Sequence, residues 1–437
     1  MSSPSPAPSP APSPWQPTAA FFRALVVSVV LVVIALIWRR PDLLVVATPF
    51  AVMTAWSAVT RPSTAPTFDG SLGHTTLREG DATVWRGSID GSAEVDLAVA
   101  VLDHDTWVET RPSSGVVTAS ADGGHASIEL AVRSTRWGVR TIERVQVVAV
   151  SPWAAYRWST VTTPRSFVTL PVPGVFDTGA SPRPHDGLVG LYRSTRSGDG
   201  NEFAGLRAFR PGDRMRRINW PRSLRVGELQ VNGTWADLDT HVALVVDATD
   251  DLGVSDGIDG RASSLDVTVR AAGAIAEHYA LRGERVSMQT FGARVAQTVP
   301  PGTGRVQLRR VLDRLALIAP GGSTVAGRRW VNQSSGGRMT VVLSPLISPE
   351  AIDLAVSFGR RGMSVVVIDT LPQHVVDDDD DALTAFAWRI RLLERRREIR
   401  MVGAAGIAVV EWRGPGSLDG VIRDIARRTT GARLVRR

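Results

Sequence analysis

Val242-Ala243-Leu244-Val245-Val246-Asp247 decides the fold: five apolar residues run without interruption into a carboxylate. So short an uninterrupted run fits a strand covered on both faces, as in a parallel sheet. The sequence downstream alternates in kind. Leu265, Val269, Ala272, Ala276 and Tyr279 are spaced 4, 3, 4 and 3 residues apart, the stripe of an amphipathic helix. Val286–Phe291 reads as a strand, and Leu308, Val311, Leu312 and Leu315 as a second helical stripe. Met339–Leu343 and Val365–Ile368 are further buried strands, with a helix from Pro349 to Arg361 between them. A strand at Ile407–Trp412 and a helix carrying Leu418, Val421, Ile422 and Ile425 complete the set. Alternation of this kind predicts a doubly wound α/β domain over residues 241–437, with ligands bound beyond the carboxyl ends of its strands, where Asp247 stands.

Upstream lies the most distinctive stretch, a signature segment at 185–240. It contains Gly198-Asp199-Gly200-Asn201-Glu202-Phe203, Phe209-Arg210-Pro211-Gly212-Asp213 and Ile218-Asn219-Trp220. Pro211-Gly212-Asp213 is a tight turn. Seven Arg fall between Arg207 and Arg225, with Phe209 and Trp220 among them. Arg207, Arg210, Arg216, Arg217 and Arg225, with Asp213 and Trp220, are the candidate partner-binding residues. Guanidinium forks hold acidic segments or phosphates in bidentate fashion. The competing reading pairs the same arginines with Glu202, Asp213 and Glu228 to pin the segment to the next domain. Nucleic acid is the weakest choice, because aromatics are too few for a stacking platform and no known motif accompanies the patch.

Residues 66–172 change to period two. Val95, Leu97, Val99 and Val101 alternate with Glu94, Asp96, Ala98 and Ala100. Ile128, Leu130 and Val132 repeat the pattern, as do Val145, Val147 and Ala149. Turn clusters at Asp90-Gly91-Ser92, Pro112-Ser113-Ser114-Gly115 and Asp122-Gly123-Gly124 separate the runs. This predicts an all-β, sandwich-like domain. Asp103-His104-Asp105 is expected to be a solvated turn, since neighbours on a strand point to opposite faces.

Residues 1–18, with Pro-Ser-Pro-Ala-Pro-Ser-Pro from Pro4, cannot build a core and are expected to stay extended or disordered. Ala19–Trp38 is apolar except for Arg23 and Ser28, and its length suits a bilayer core of about 30 Å. Arg39-Arg40-Pro41-Asp42 breaks the run and Leu43–Val59 resumes it, so 19–60 is expected to be a transmembrane helical hairpin rather than a cleaved leader. Arginine at the turn argues for a cytoplasmic turn and outward domains, whereas Arg23 and Arg61 at the other end argue the reverse. All 50 basic residues of the 437 are Arg, giving a net charge of +7. The chain contains no Cys, which excludes disulfides, thiolate nucleophiles and Cys-ligated metals.

The string from Gly198 to Val231, followed by the Val242–Asp247 strand, resembles the signature of the domain of unknown function 58 family. The Gly-Asn-Glu-Phe, Arg-Pro-Gly-Asp and Ile-Asn-Trp elements carry the resemblance; Ser151-Pro152-Trp153 departs from the family's frequent Asp-Pro-Phe. The resemblance implies a membrane-anchored bacterial protein with two N-terminal spans, a β-rich middle and a von Willebrand A-like end. It further implies partnership with a MoxR-type AAA+ ATPase, and therefore cytoplasmic domains. Von Willebrand A domains carry a metal-ion-dependent adhesion site of the pattern Asp-x-Ser-x-Ser with a distant Thr and a distant Asp, suited to Mg²⁺. The matching positions are Asp247, Thr249 and Asp251, with Thr324 of Gly321-Gly322-Ser323-Thr324 as the distant Thr. Ser344-Pro345 stands where the distant Asp is expected, so the site reads as degenerate. In the alternative, Asp247 and Thr249 only cap and hydrogen-bond their own loop.

No nucleophile–base pair, Walker A pattern or His-Glu-x-x-His motif is present, so the sequence points to a protein-interaction adaptor without catalysis. An outward-facing metal-dependent adhesion or ligand-binding receptor is the rival. Asp377–Asp381 is expected to be a solvated loop before a helix starting near Ala382.

Overall fold

The computed structural model describes residues 15–90, 94–173, 197–209, 215–235, 241–321, 338–376 and 382–413. The chain divides into two compact units, Met1–Leu170 and Pro171–Arg437.

In the first unit two helices, Ala19–Trp38 and Asp42–Val59, are long and apolar enough to cross a membrane. They pack through small side chains: Ala24, Ser28 and Ala35 on one, Ala47, Thr54 and Ser57 on the other. Small residues let the backbones approach, while Val26, Val30, Val33 and Val45 stay exposed around the pair. Arg39 takes a left-handed conformation to close the turn, and Arg40 pairs with Asp42.

The expected tail ends early. Trp15 is buried and donates its indole N–H to Thr64 O at 2.8 Å, and Gln16–Pro17 pairs with strand Tyr156–Val161. The aromatic ring and the free strand edge order these residues despite the proline-rich approach to them.

The middle of the chain forms two sheets over one core. One has four strands, ordered Thr67–Leu72, Ala82–Asp90, Ala126–Ser134 and Val108–Arg111. The other has seven and centres on the long strand Gly138–Val150. Trp85, Ile89, Ile128, Leu130 and Val132 from the first sheet meet Val145, Val147, Ala149, Trp158 and Phe167 from the second. One strand is turned over relative to its pattern. In Leu97–His104, Ala98, Ala100 and Leu102 face the core, while Leu97 and Val101 face the outer surface, a one-residue shift that exchanges every side chain on the strand. Asp105 is more than a solvated turn residue, since it accepts from the buried Arg140 guanidinium at 3.2 Å.

The second unit contains a six-stranded sheet. Its strands are β1 (His241–Asp247), β2 (Arg285–Phe291), β3 (Thr298–Gly302), β4 (Arg338–Ser344), β5 (Ser364–Asp369) and β6 (Ala408–Glu411), in the spatial order 3-2-1-4-5-6. All neighbours are parallel except β3, which is antiparallel to β2. Periodicity does not announce β3, because Pro300 and Pro301 fall within it; the sheet edge tolerates them. Helices α1 (Ser264–Leu281), α2 (Gly304–Leu315), α3 (Pro349–Arg360) and α4 (Ala382–Ala404) cover the sheet. Val245, Val342, Val365 and Val367 pack against Ala351, Ala355 and Phe358 of α3 and Val402 of α4. Val242, Leu244 and Val246 point the other way by alternation, to the side on which α1 packs. Leu265, Val269, Ala272, Ala276 and Tyr279 are all buried, and Ser263 with Asp266 closes a capping box at the α1 N-terminus. The Asp377–Asp381 run and the helix expected around Leu418–Ile425 lie outside the described residues.

Candidate functional site

The carboxyl ends of β1, β4 and β5 converge on a buried polar cluster. Asp247 ends β1 and is almost completely buried. Its Oδ1 accepts from the Thr249 amide at 3.0 Å and the Thr249 hydroxyl at 2.7 Å, and its Oδ2 accepts from the Ser344 hydroxyl at 2.6 Å. Ser344 Oγ in turn accepts from Leu346 N at 2.9 Å, fixing a turn in which Leu346 is left-handed. Burial pushes the Asp247 carboxyl above the usual carboxylate range; the bonds from Ser344 and Thr249 pull it part of the way back.

A second carboxyl, half-buried, stands two strands away. Asp369, at the end of β5, forms an ion pair with Arg395 of α4. Arg395 Nε also donates to Pro345 O at 2.9 Å, and Arg391 donates to Ile347 O and pairs with Glu398. The two arginines, one helical turn apart, therefore hold the loop that follows β4 against α4. Burial raises the Asp369 carboxyl, opposed by the adjacent guanidinium. Nearby the Thr268 and Thr370 hydroxyls share a hydrogen bond of 2.6 Å.

Of the four expected metal-site residues, the structure brings Asp247 and Thr249 together. Asp251 Oδ1 accepts from Leu265 N at 3.2 Å, at the start of α1. Thr324 lies outside the described residues. Among the described residues no group of three or more His, Asp or Glu is placed to hold a metal ion. Gly292 secures Thr249, since it is left-handed and a Cβ there would sit 2.2 Å from Thr249 Oγ1. Asp369, Arg395 and Arg391 escape sequence reading. Asp369 follows Val365–Ile368 at a strand end, which is a usable signal. Arg395 sits in an Arg-Arg-Arg run that reads as solvated until its i, i+4 spacing from Arg391 is noticed.

The signature segment forms a hairpin in which Ser197–Ala208 pairs with Gln230–Trp235. Between them Asn219 caps the short helix Trp220–Val226, accepting from Arg222 N, and donates to Asn232 Oδ1 at 3.1 Å. The buried Ser223 accepts from Gln230 N at 2.8 Å. These bonds turn the other side of the helix outward: Trp220 is 58% exposed and Leu224 83%, beside exposed Arg222 and Arg225, with exposed Met215 just before the helix. Of the expected partner residues, Trp220 and Arg225 are exposed, whereas Arg207 and Arg217 are half-buried. Arg210, Asp213 and the Arg216 side chain lie outside the described residues.

Residues 205–394 match the family described as "Protein of unknown function DUF58", a span that begins within the first strand of the hairpin and takes in most of the six-stranded sheet. Uncharacterized proteins of Mycobacterium bovis and Mycobacterium tuberculosis are 28% identical to the chain over 187 residues, 43% of this chain and 52% of theirs. The chain thus spans about half the length of the curated relatives it matches.

Proposed function

We propose that the protein is a membrane-tethered interaction module: a two-span hairpin, a β-sandwich and a von Willebrand A-like domain that binds a protein partner and performs no catalysis. The observation that carries this reading is the outward face of the Trp220–Val226 helix. It is held by the internal bonds of Asn219 and Ser223 while its aromatic, aliphatic and guanidinium groups are left in solvent. Trp and Arg dominate binding energy at protein interfaces. The expected partner is a MoxR-type AAA+ ATPase, acting with this protein in assembly or maturation of envelope or enzyme complexes, with the soluble units in the cytoplasm. The test is binding of the purified ATPase to the full chain in lipid nanodiscs. Trp220→Ala with Leu224→Ala should weaken it by at least about tenfold, in keeping with loss of a hot spot. Undiminished binding would contradict the reading.

The strand-end cluster supports the von Willebrand A-like assignment by position, while fitting a resident Mg²⁺ poorly. Both Asp247 oxygens are engaged by protein donors, Ser344 replaces a carboxylate and Asp251 is bonded to the α1 N-terminus. We read the cluster as a hydrogen-bonded clamp on its loops. The rival function, an outward-facing metal-dependent adhesion or ligand-binding receptor, is favoured by Arg39 and Arg40 at the hairpin turn.

A further inference from the structure

We infer that Trp153 is an interfacial membrane anchor, so that the β-rich region touches the bilayer through its own side chain as well as through the hairpin. The inference rests on the reading of Ala19–Trp38 and Asp42–Val59 as membrane spans. Pro152–Ala154 is a tight turn between Gly138–Val150 and Tyr156–Val161, and it joins the first span where that helix begins. Thr18, the N-cap of the first span, donates from its amide to Ala155 O at 2.9 Å and from its hydroxyl to Ala154 O at 2.5 Å. Phe21, in the first turn of that helix, lies 5.6 Å from the Tyr156 ring, and the second span also packs against the turn. The turn therefore stands at the level of the open end of the hairpin, where apolar chain gives way to water.

Within this turn two successive non-glycine residues are left-handed, Trp153 at φ 62° and Ala154 at φ 53°. Bulky side chains avoid that region, and surrounding structure must hold them in it. Ser151 does so, since its amide donates to Tyr156 O and its hydroxyl accepts from Tyr156 N, each at 3.0 Å. Ala155 and Tyr156 are buried, yet Trp153 is directed outward and is 65% exposed. The strained backbone therefore gives the indole no core to fill. An indole is amphipathic, and its favoured station at a membrane is the headgroup boundary, with the ring against acyl chain and the N–H toward water. Exposed Phe22 and Trp56 near the same ends of the spans supply the adjoining apolar surface.

The absence of cysteine makes the test direct. Trp153→Cys, carrying an environment-sensitive fluorophore, is reconstituted as full chain in phosphatidylcholine–phosphatidylglycerol vesicles. Its quenching by lipids spin-labelled at the headgroup, by lipids labelled deep in the acyl chain and by aqueous iodide is compared with Val30→Cys and Ser114→Cys. Headgroup-labelled lipid should quench position 153 at least twice as strongly as deep-labelled lipid, with little effect of iodide. Position 30 should show the reverse preference between lipids. Iodide quenching at 153 equal to that at 114, or shielding from lipid and iodide alike, would overturn the inference. Loss of deep-lipid quenching at position 30 would instead overturn the membrane spans themselves.

Discussion

Replacing Asp247 separates a hydrogen-bonded clamp from a charged ligand site. Asp247→Ala strands three donors: the Thr249 amide, the Thr249 hydroxyl and the Ser344 hydroxyl. A buried donor left without a partner costs about 1–3 kcal/mol. Thr249 is half-buried and its groups can reach water, but Ser344 is fully buried. Relief from burying a carboxylate offsets part of the loss, leaving a destabilisation of about 2–4 kcal/mol, or about 5–15 °C in Tm for a domain of this size. Asp247→Asn keeps an oxygen for Thr249 and offers an amide N–H to Ser344 Oγ, leaving the buried Ser344 hydroxyl hydrogen as the one stranded donor, so it should cost about 1–2 kcal/mol at pH 5, less than the Ala variant. The sign of the pH dependence is fixed by the raised carboxyl. A group raised on folding contributes stability that is full below its unfolded pKa, about 3.9, and lost as pH rises through the folded value. Asn does not titrate, so its stability relative to the parent should grow from pH 5 to pH 8. Thermal unfolding of the full chain in detergent, followed by tryptophan fluorescence at both pH values, gives the comparison. An Asn variant as unstable as the Ala variant, or one worsening toward pH 8, would refute the clamp and show that the charge itself is required.

Three other outcomes follow from the same geometry. Arg395→Met leaves the half-buried Asp369 without its cation and should destabilise by about 3 kcal/mol, the lower end for breaking a buried pair. Because the carboxyl then rises further, the deficit should be larger at pH 8 than at pH 5 in the same unfolding assay. Gly292→Ala forces a methyl group into Thr249 and demands a left-handed alanine, so it should lower Tm as much as Thr249→Ala or more. Millimolar Mg²⁺ should shift the Tm of the parent by less than about 1 °C, since a ligand far below its Kd stabilises by well under RT; a shift of several degrees, lost in Asp247→Asn, would restore the metal site.

The sequence is most informative where burial is two-sided. The uninterrupted run Val242–Val246 becomes the central strand, and the 4-3-4-3 spacing from Leu265 to Tyr279 becomes the inner face of α1. It misleads where apolar residues flank both faces of a strand. In Leu97–His104 alternation holds, but both faces carry apolar residues, so hydrophobicity alone does not say that Ala98, Ala100 and Leu102 form the inner one. Prolines conceal β3, because a sheet edge forgives what a central strand does not. At the site, Asp247 and Thr249 are legible from a short local pattern, whereas Asp369 and Arg395 meet only through the packing of α4 on the sheet. In the loop after β1, Ser255 is 7% exposed, and Val254 beside it is the accessible position.

Sidedness tests the adaptor account most directly. Ser114→Cys and Val254→Cys place single thiols on exposed positions of the two units of a Cys-free chain. Intact cells are treated with a membrane-impermeant maleimide, then lysed and treated again. The account predicts labelling of both positions only after lysis. Labelling in intact cells would contradict it, placing the domains outside and removing direct contact with a cytoplasmic ATPase.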